Sequence, residues 1–464
     1  MSMKKTILIS ALAAAISTSA IGVASAATTQ VTAPASFSVT VNDASIMIRS
    51  IQVNGATLVS LRDLGTAAGA RFIVNVKAGV TAYVQGRAVE LHAGSKTATV
   101  DGQPVELEQA VVNVNGSYYI SVEDFVNLFS VDAEQDDSGQ FHIDAVQKIH
   151  ADSIVWINAS QLLASSLTEE GRTDYIVDAA TGAFKQVLSS DTASELTVSP
   201  DGTKAAYTNE DGSVYVIDLT SATFASKQVS ADSNIKPELV WSADGSAIYF
   251  LQGDKGSVIQ KLNVADGTIT KVLDDKVDYK ADLSVSKDGT KFYYTVTKPG
   301  AVTAPDKPVD EDDVAIDTTG TEPQVYFFDA SVKDAAPVKL TTSTDDKIFV
   351  GAAEDGYKAF YISIADGQPS SLVSVAKDKT VAKVIGDKDV LAATIAGGNI
   401  YALTDAGERT ALSSVDAASG TVKAIGNLEG NVTEVAAAPN GSVAVIVDDQ
   451  TFTVQGGSLK RITK

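Results

Sequence analysis

The amino-acid sequence predicts a mainly β protein in two parts: a small α+β domain, followed by a β-propeller with seven blades of four antiparallel strands. Three observations predict this architecture. A phrase beginning Val-Asn-Gly occurs twice in the first part, from Val53 and from Val114. An Asp-Gly phrase recurs in the second part at steps of 43 and 44 residues, about the length of one blade. Between these phrases, apolar and polar residues alternate as they do in strands.

The first 26 residues have the features of an export signal. Two lysines precede an apolar stretch that ends in Ala-Ser-Ala at residues 24–26, a pattern that signal peptidase accepts. We therefore expect residues 1–26 to be removed, leaving an exported chain without a transmembrane segment. A membrane anchor is the alternative, although Gly22 and several Ser and Thr residues interrupt the apolar run.

Charge and cysteine content limit the partners and the compartment. The chain has 58 acidic and 36 basic residues and a formal net charge of −22, which disfavours nucleic acid as a partner. It has no cysteine, so we expect neither a disulfide nor a lipid on cysteine. This composition fits a secreted or cell-wall protein of the Gram-positive type. We expect it to be a monomer.

The two Val-Asn-Gly phrases define the first domain, residues 36–145. Each opens with Asn-Gly, which favours the positive φ angles of a tight hairpin, and runs through a strand into a helical spacing of apolar residues. The helical positions are Leu61, Leu64 and Ala68 in one copy and Val122, Phe125, Val126 and Phe129 in the other. This order resembles the copper amine oxidase N-terminal (stalk) domain family. The resemblance implies an attachment or interaction module of exported bacterial proteins.

The resemblance does not extend to amine oxidase chemistry. In that family the reaction needs a tyrosine-derived quinone in an Asn-Tyr context and three histidine ligands to copper in a separate domain, and this sequence has no Asn-Tyr pair. Its three histidines, His92, His142 and His150, lack the spacing of a metal site. We expect no metal and no other cofactor. The second copy also has Glu123 where the first has Arg62, so a surface role of that arginine would belong to the first copy.

The Asp-Gly phrases define the second domain, residues 146–464. Each phrase follows a short apolar strand and precedes an alternating one. We therefore assign the glycine to a left-handed turn and the aspartate to local backbone hydrogen bonds, without a catalytic role. The turns are Asp201-Gly202, Asp244-Gly245, Asp288-Gly289, Asp355-Gly356 and Asn440-Gly441.

The copies near residues 355, 398 and 440 are weaker, and one near residue 158 is the weakest. Together the copies indicate seven blades, with six or eight as alternatives. Surplus residues between the copies at 288 and 355 form an acidic, proline-rich insert at 298–323. Phrases such as Trp241-Ser-Ala-Asp-Gly resemble the propellers of TolB and of the N-terminal half of the dipeptidyl-peptidase IV family. That resemblance implies the fold and carries little about function.

Neither histidine nor cysteine occurs after residue 150, which excludes a His-containing triad and a His-ligated metal in the second domain. We therefore expect that the chain is not an enzyme, with a carboxylate-dependent polysaccharide hydrolase or lyase as the alternative. Trp156 and Trp241 fall in first strands and are expected in the core. Four acidic residues of the insert could bind Ca²⁺ weakly, although such runs are usually solvated. These are Asp310, Glu311, Asp312 and Asp313.

The sequence as a whole predicts an exported, non-catalytic binding or scaffold protein of the bacterial cell surface or wall. The stalk domain would attach it, and the propeller would bind a protein or a cell-wall glycan. An envelope assembly factor of the TolB type is a further alternative.

Overall fold

The computed structural model describes residues 32–33, 35–42, 44–75, 79–84, 87–136, 140–145, 149–169, 171–303, 315–455 and 457–463. The expected export signal, residues 1–26, lies outside this part of the chain. The chain divides into two compact units, Met1–Lys148 and Ile149–Lys464, which we call the N-terminal unit and the propeller unit. No helix within the described ranges is long and apolar enough to span a membrane.

The N-terminal unit contains two sheets and two short helices. Its elements are β1 (Ala35–Val41), β2 (Ala44–Val53), β3 (Ala56–Ser60), α1 (Leu61–Ala67), β4 (Arg71–Asn75), β5 (Gly79–Val84), β6 (Arg87–Leu91), β7 (Thr97–Val100), β8 (Gln103–Glu106), β9 (Val112–Val114), β10 (Ser117–Ile120), α2 (Val122–Phe129), β11 (Asp132–Gln135) and β12 (Phe141–Asp144). One sheet has the order β11-β12-β1-β2-β3-β10-β9, and the other is the meander β4-β5-β6-β7-β8. Leu64 of α1, Phe125 of α2 and Val89 of β6 share one apolar core.

The two Val-Asn-Gly copies fold alike. In both Asn-Gly turns the Asn and the Gly have positive φ angles, between +50° and +88°, which confirms the hairpins predicted from the sequence. Each hairpin leads into a helix with a serine N-cap. The Ser60 hydroxyl accepts the Asp63 N–H at 3.3 Å, and the Ser121 hydroxyl accepts the Asp124 N–H at 2.9 Å. Such caps satisfy an amide that lacks a partner inside the helix.

The described residues of the propeller unit form seven four-stranded antiparallel sheets, which confirms the predicted fold class. Every sheet uses strands in chain order, so each is a blade made from one stretch of sequence. The blades are blade 1 (β13 Ser153–Asn158, β14 Gln161–Thr168, β15 Gly171–Asp178, β16 Phe184–Ser190), blade 2 (β17 Thr197–Val198, β18 Lys204–Thr208, β19 Val214–Asp218, β20 Ser226–Ser230), blade 3 (β21 Leu239–Trp241, β22 Ala247–Gln252, β23 Val258–Asn263, β24 Ile269–Leu273), blade 4 (β25 Lys280–Val285, β26 Lys291–Val296, β29 Gln324–Asp329, β30 Val338–Lys339), blade 5 (β31 Asp346–Ala352, β32 Lys358–Ile364, β33 Ser371–Ala376, β34 Val381–Ile385), blade 6 (β35 Val390–Ala396, β36 Asn399–Asp405, β37 Thr410–Asp416, β38 Val422–Leu428) and blade 7 (β39 Val432–Ala437, β40 Val443–Val447, β41 Gln450–Gln455, β42 Ser458–Arg461).

Apolar side chains between successive blades close the ring. Seven buried clusters each combine residues of two neighbouring blades, and one of them joins blade 7 to blade 1. In that cluster Trp156 of β13 packs near Ala436 of β39, and its indole N–H donates to the Ala436 carbonyl at 3.1 Å. Among the described residues, no strand of blade 1 pairs in the sheet of blade 7 or the reverse, and the contacts between these two blades include the side-chain packing and the Trp156 hydrogen bond just given.

The Asp-Gly phrases form the hairpins between the first and second strands of their blades. Gly202 has a φ of +69°, and its N–H donates to the Ser199 carbonyl at 2.8 Å. Asp201 accepts the Ser199 hydroxyl at 2.7 Å. The glycines at the other four predicted turns also have positive φ: Gly245 (+66°), Gly289 (+69°), Gly356 (+67°) and Gly441 (+90°).

The insert lies between the second and third strands of blade 4. Its described part is a two-stranded sheet of β27 (Ala301–Thr303) and β28 (Ala315–Asp317). The four acidic residues considered for calcium, Asp310 to Asp313, lie outside the described residues.

Candidate functional site

The two edges of the propeller carry different loops. Because the strands of each blade are antiparallel and consecutive, hairpins joining strands one to two and three to four emerge at one edge, which we call the turn edge. The other edge, which we call the connection edge, carries the hairpins that join strands two to three. It also carries the connections between blades. The predicted Asp-Gly turns all lie on the turn edge. Each belongs to its own blade, so they do not form a common site.

Four carboxylates lie in register at the connection edge. Each precedes the turn residue of its blade by six positions: Glu195 before Asp201, Glu238 before Asp244, Asp282 before Asp288 and Glu434 before Asn440. Glu195 and Glu238 lie just before the first strands β17 and β21. Asp282 and Glu434 lie within the first strands β25 and β39. First strands of most successive blades contact one another, which places the first strands innermost. These carboxylates therefore lie at one opening of the central channel.

Glu195 and Glu434 flank the first strand of blade 1. Glu434 Oε1 accepts the N–H of Ile154 at 3.4 Å, and Glu195 Oε1 accepts the Ser153 hydroxyl at 3.5 Å. Burial, together with the negative charge of Glu195, raises the pKa of Glu434. Arg172 Nη2 lies 3.7 Å from Glu195 Oε1, so a cation of the protein already partly neutralises this pair.

Glu238 and Asp282 form the second pair, between blades 3 and 4. Glu238 Oε2 accepts the N–H of Leu283 at 3.1 Å, and Asp282 Oδ2 accepts the Thr295 hydroxyl at 2.7 Å. Burial, with a further contribution from the charge of Asp282, raises the pKa of Glu238 to about 6. No lysine or arginine of the described ranges forms an ion pair with either carboxylate.

The chain has unusual backbone geometry before and inside β25. Lys276, Tyr279 and Asp282 have φ angles of +63°, +64° and +55°, a left-handed conformation uncommon outside glycine. Tyr279 is 38% exposed, and Lys255 Nζ lies 5.6 Å from its ring centroid. An accessible aromatic ring therefore lies three residues before the carboxylate of Asp282.

Buried lysines hold the connections that carry these carboxylates. The Lys236 side chain is fully buried, and its ammonium donates to the carbonyls of Gly212, Asp232 and Asn234 and to the Asp232 carboxylate, each at 2.8 Å. The ammonium thus ties the connection before blade 3 to the second hairpin of blade 2.

The same arrangement recurs in the next two blades. Lys280 donates to the Ser257 carbonyl and to Asp275, both at 2.7 Å, and Lys347 donates to the Asp345 carbonyl at 2.6 Å. Sequence reasoning missed these lysines. A signal was available, because the steps between the three lysines, 44 and 67 residues, equal the steps between the turn residues Asp244, Asp288 and Asp355.

The histidines do not form a metal site. His142 Nε2 lies 3.0 Å from Asp136 in the N-terminal unit, and His150 Nε2 lies 3.1 Å from Asp152 in the propeller unit. Within the part of the chain that the structure describes, no group of three or more histidine or acidic residues could hold a metal ion. Trp241, like Trp156, is buried, and its indole N–H donates to the Thr197 carbonyl of the preceding blade at 2.8 Å.

A separate cleft of about 470 Å³ opens between the outer strands of blades 5 and 6. Ile385 of β34 and the small side chains of Ala411, Ser413, Ala424 and Gly426 line it.

The fold and this geometry define a stalk-like N-terminal domain followed by a β-propeller. Residues 40–143 match the family model of the copper amine oxidase N-terminal domain, which confirms that resemblance. No curated protein matches the sequence.

Several solved structures are similar to this chain. They include the tricorn protease (12% identity, 90% of this chain and 45% of that chain, TM-score 0.47) and an oligogalacturonate lyase in complex with manganese (13%, 71% and 94%, 0.45). A putative TolB from Agrobacterium tumefaciens is also similar (16%, 58% and 94%, 0.39). This chain thus spans less than half of the tricorn protease chain.

These similarities overturn the prediction that the chain is not an enzyme. The similar solved structures include a protease and a lyase, although at 12% and 13% identity they establish no activity of this chain. The physical reason for the error is that a missing histidine does not exclude acid–base chemistry. A carboxyl group whose pKa is raised, such as that of Glu238, can serve as a general acid near neutral pH.

Proposed function

We propose that this protein is exported to the bacterial cell surface, where its propeller binds a cationic group of a protein or of a cell-wall glycan. Binding would occur at the connection edge, on Glu238 and Asp282. The N-terminal unit would attach the protein, as its family resemblance implies. One observation carries the proposal: these two carboxylates lie together with no cation of the described residues paired to them, whereas Glu195 already has Arg172 nearby.

The electrostatics at Glu238 favour a cationic ligand. Its raised pKa means that ionisation is less favourable in the free protein than in water, because the carboxylate is partly buried and feels the charge of Asp282. A ligand cation placed between the two carboxylates would remove that penalty. The exposed ring of Tyr279 offers a further contact, since cations are attracted to the face of an aromatic ring.

Calorimetric titration of the full-length mature protein tests the proposal. The probes are a lysine pentapeptide and a glucosamine pentasaccharide, each paired with its N-acetylated form, which lacks the charge. We expect at least one charged probe to bind, its acetylated form not to bind, and Glu238→Gln or Asp282→Asn to weaken binding about tenfold. The matched control is Glu408→Gln, an exposed acidic residue in a connection-edge loop of blade 6, which should leave affinity unchanged.

Two results would contradict the proposal. One is the absence of binding by both charged probes. The other is equal weakening by Glu408→Gln and Glu238→Gln, because a diffuse effect of the net charge would then explain the binding.

A carboxylate-dependent polysaccharide hydrolase or lyase is the second candidate, and the same pair favours it. Glu238, with its pKa near 6, and Asp282 are two carboxyl groups in different environments, and such pairs can divide the roles of general acid and base. The assay incubates the protein with cell-wall polysaccharide and measures new reducing ends and unsaturated products. Activity in the wild type that is lost in Glu238→Gln would establish this candidate. No product from either protein would eliminate it for that substrate.

A further inference from the structure

The turn edge of blade 5 departs from the pattern of the other blades at its first hairpin. After the turn glycine the other predicted turns have a hydroxyl residue: Thr203, Ser246, Thr290 and Ser442. In blades 2 to 4 that hydroxyl donates to the turn aspartate at 2.8 to 2.9 Å. Blade 5 has Tyr357 at this position. Its backbone N–H still donates to Asp355 at 3.0 Å, but the side chain is 51% exposed.

A second departure lies in the neighbouring hairpin of the same blade, between β33 and β34. In the corresponding hairpins of blades 1, 3 and 6 a glycine has the left-handed conformation, whereas blades 2 and 4 have Phe224 and Asp334 with positive φ. Blade 5 has Lys379 in this hairpin, with a φ of +72°. A non-glycine residue has a conformational cost in that region. Tyr357 and Lys379 are both exposed at the turn edge.

These residues form a small surface that combines an aromatic ring with positive charge. Lys377 Nζ lies 4.6 Å from the centroid of the Tyr357 ring, and Lys377 forms no ion pair with a carboxylate of the described residues. Lys291 Nζ lies 5.9 Å from the same centroid, but Asp288 Oδ2 is 2.8 Å from that ammonium. Lys377 is therefore the ammonium beside the ring that remains available for an anionic ligand.

We propose that Tyr357, Lys377 and Lys379, which we call the blade 5 surface, bind an acidic polysaccharide through its uronic-acid residues. A uronic-acid ring has an apolar C–H face that packs on an aromatic ring, and its carboxylate is attached directly to that ring. When the sugar ring packs on Tyr357, its carboxylate can reach the ammonium of Lys377, which lies 4.6 Å from the centroid of the Tyr357 ring. An acidic peptide would supply the charge, but its flexible side chains would not supply the flat apolar face.

This surface goes beyond the function proposed above, because it lies at the opposite edge of the propeller and selects the opposite charge. The formal net charge of −22 repels polyanions at long range. Binding here must therefore come from short-range contacts with the ring and the ammonium groups, and it should be specific to these residues.

The experiment measures binding of a glucuronic-acid oligosaccharide to the full-length protein by calorimetry. The methyl-esterified oligosaccharide and a glutamate peptide of equal length serve as comparison ligands. We expect the free acid to bind and both comparison ligands to bind at least about tenfold more weakly. Equal binding of the glutamate peptide, equal binding of the ester, or no binding of the free acid would overturn the proposal.

Two variants separate binding from folding, because each introduces a residue that other blades have in the same hairpin. Tyr357→Thr and Lys379→Gly should leave the unfolding temperature unchanged or raise it, and each should weaken binding of the free acid about tenfold. Lys377→Gln should weaken binding and also reduce its dependence on salt. Unaltered affinity in all three variants would refute the assignment of the surface. Glu238→Gln should not affect this binding, so failure here is distinguishable from failure of the connection-edge site.

Discussion

Replacement of Lys236 by methionine tests the role of the buried lysines in holding the connection edge. Methionine has a similar length and no charge. The variant would leave the carbonyls of Gly212, Asp232 and Asn234 without their donor at 2.8 Å and the Asp232 carboxylate without its cation. Breaking a buried ion pair by removing one partner costs about 3 to 5 kcal/mol. The Asp232 side chain is 30% exposed, so water offsets part of the loss and we expect about 3 kcal/mol.

The assay is equilibrium unfolding in urea followed by tryptophan fluorescence. The chain has two tryptophans, Trp156 and Trp241, and both are buried in the propeller unit, so the signal reports on that unit alone. The control is Lys271→Met, which removes a 2.7 Å ion pair to Asp274 from a lysine that is 57% exposed. Such pairs contribute about 0.5 kcal/mol. Equal destabilisation by the two substitutions would refute the structural role of Lys236.

Two further predictions use the same unfolding assay. Gly202→Ala should lower the free energy of unfolding by at least about 2 kcal/mol, because φ is +69° and the new Cβ would lie 2.2 Å from the Ile157 carbonyl oxygen. Gly245→Ala should cost about 1 kcal/mol, because its φ is +66° but its Cβ would meet nothing within 4 Å; equal losses would contradict this reasoning. The third substitution is Glu238→Gln. In the wild type the pKa of Glu238 is raised to about 6 on folding, so the folded state binds more protons and stability falls as pH rises from about 4.5 through 6. In the variant this contribution to the decrease in stability should be absent. An identical pH dependence of stability in both proteins would show that folding does not raise the pKa of Glu238.

The repeat could be predicted from sequence because its signals are local. A glycine that must adopt positive φ in a hairpin lies two or three residues from the strands it joins, so turns such as Asp201-Gly202 determined the blade number and the position of the insert. The Asn-Gly turns and the serine-capped helices of the N-terminal unit follow from equally short stretches. The fold class and both family resemblances were predicted from these local signals and were then confirmed.

The candidate site could not be predicted, because it depends on contacts between residues far apart in sequence. Glu434 and Ile154 are 280 residues apart and meet only because the ring closes. The raised pKa of Glu238 depends first on burial and then on the nearby charge of Asp282, and the sequence shows neither the burial nor the proximity. The same gap explains the wrong prediction about enzymatic activity, since that prediction counted missing histidines and did not consider how burial alters a carboxylate.

The most direct test of the central claim is the number of protons released when the cationic probe binds. Calorimetry at about pH 6 in two buffers with different ionisation enthalpies gives this number. Glu238 is about half protonated at that pH, so a cation bound beside it should release about half a proton, and Glu238→Gln should release none. Binding without proton release by the wild type, or equal release by the variant, would contradict the assignment of the cation site to Glu238 and Asp282.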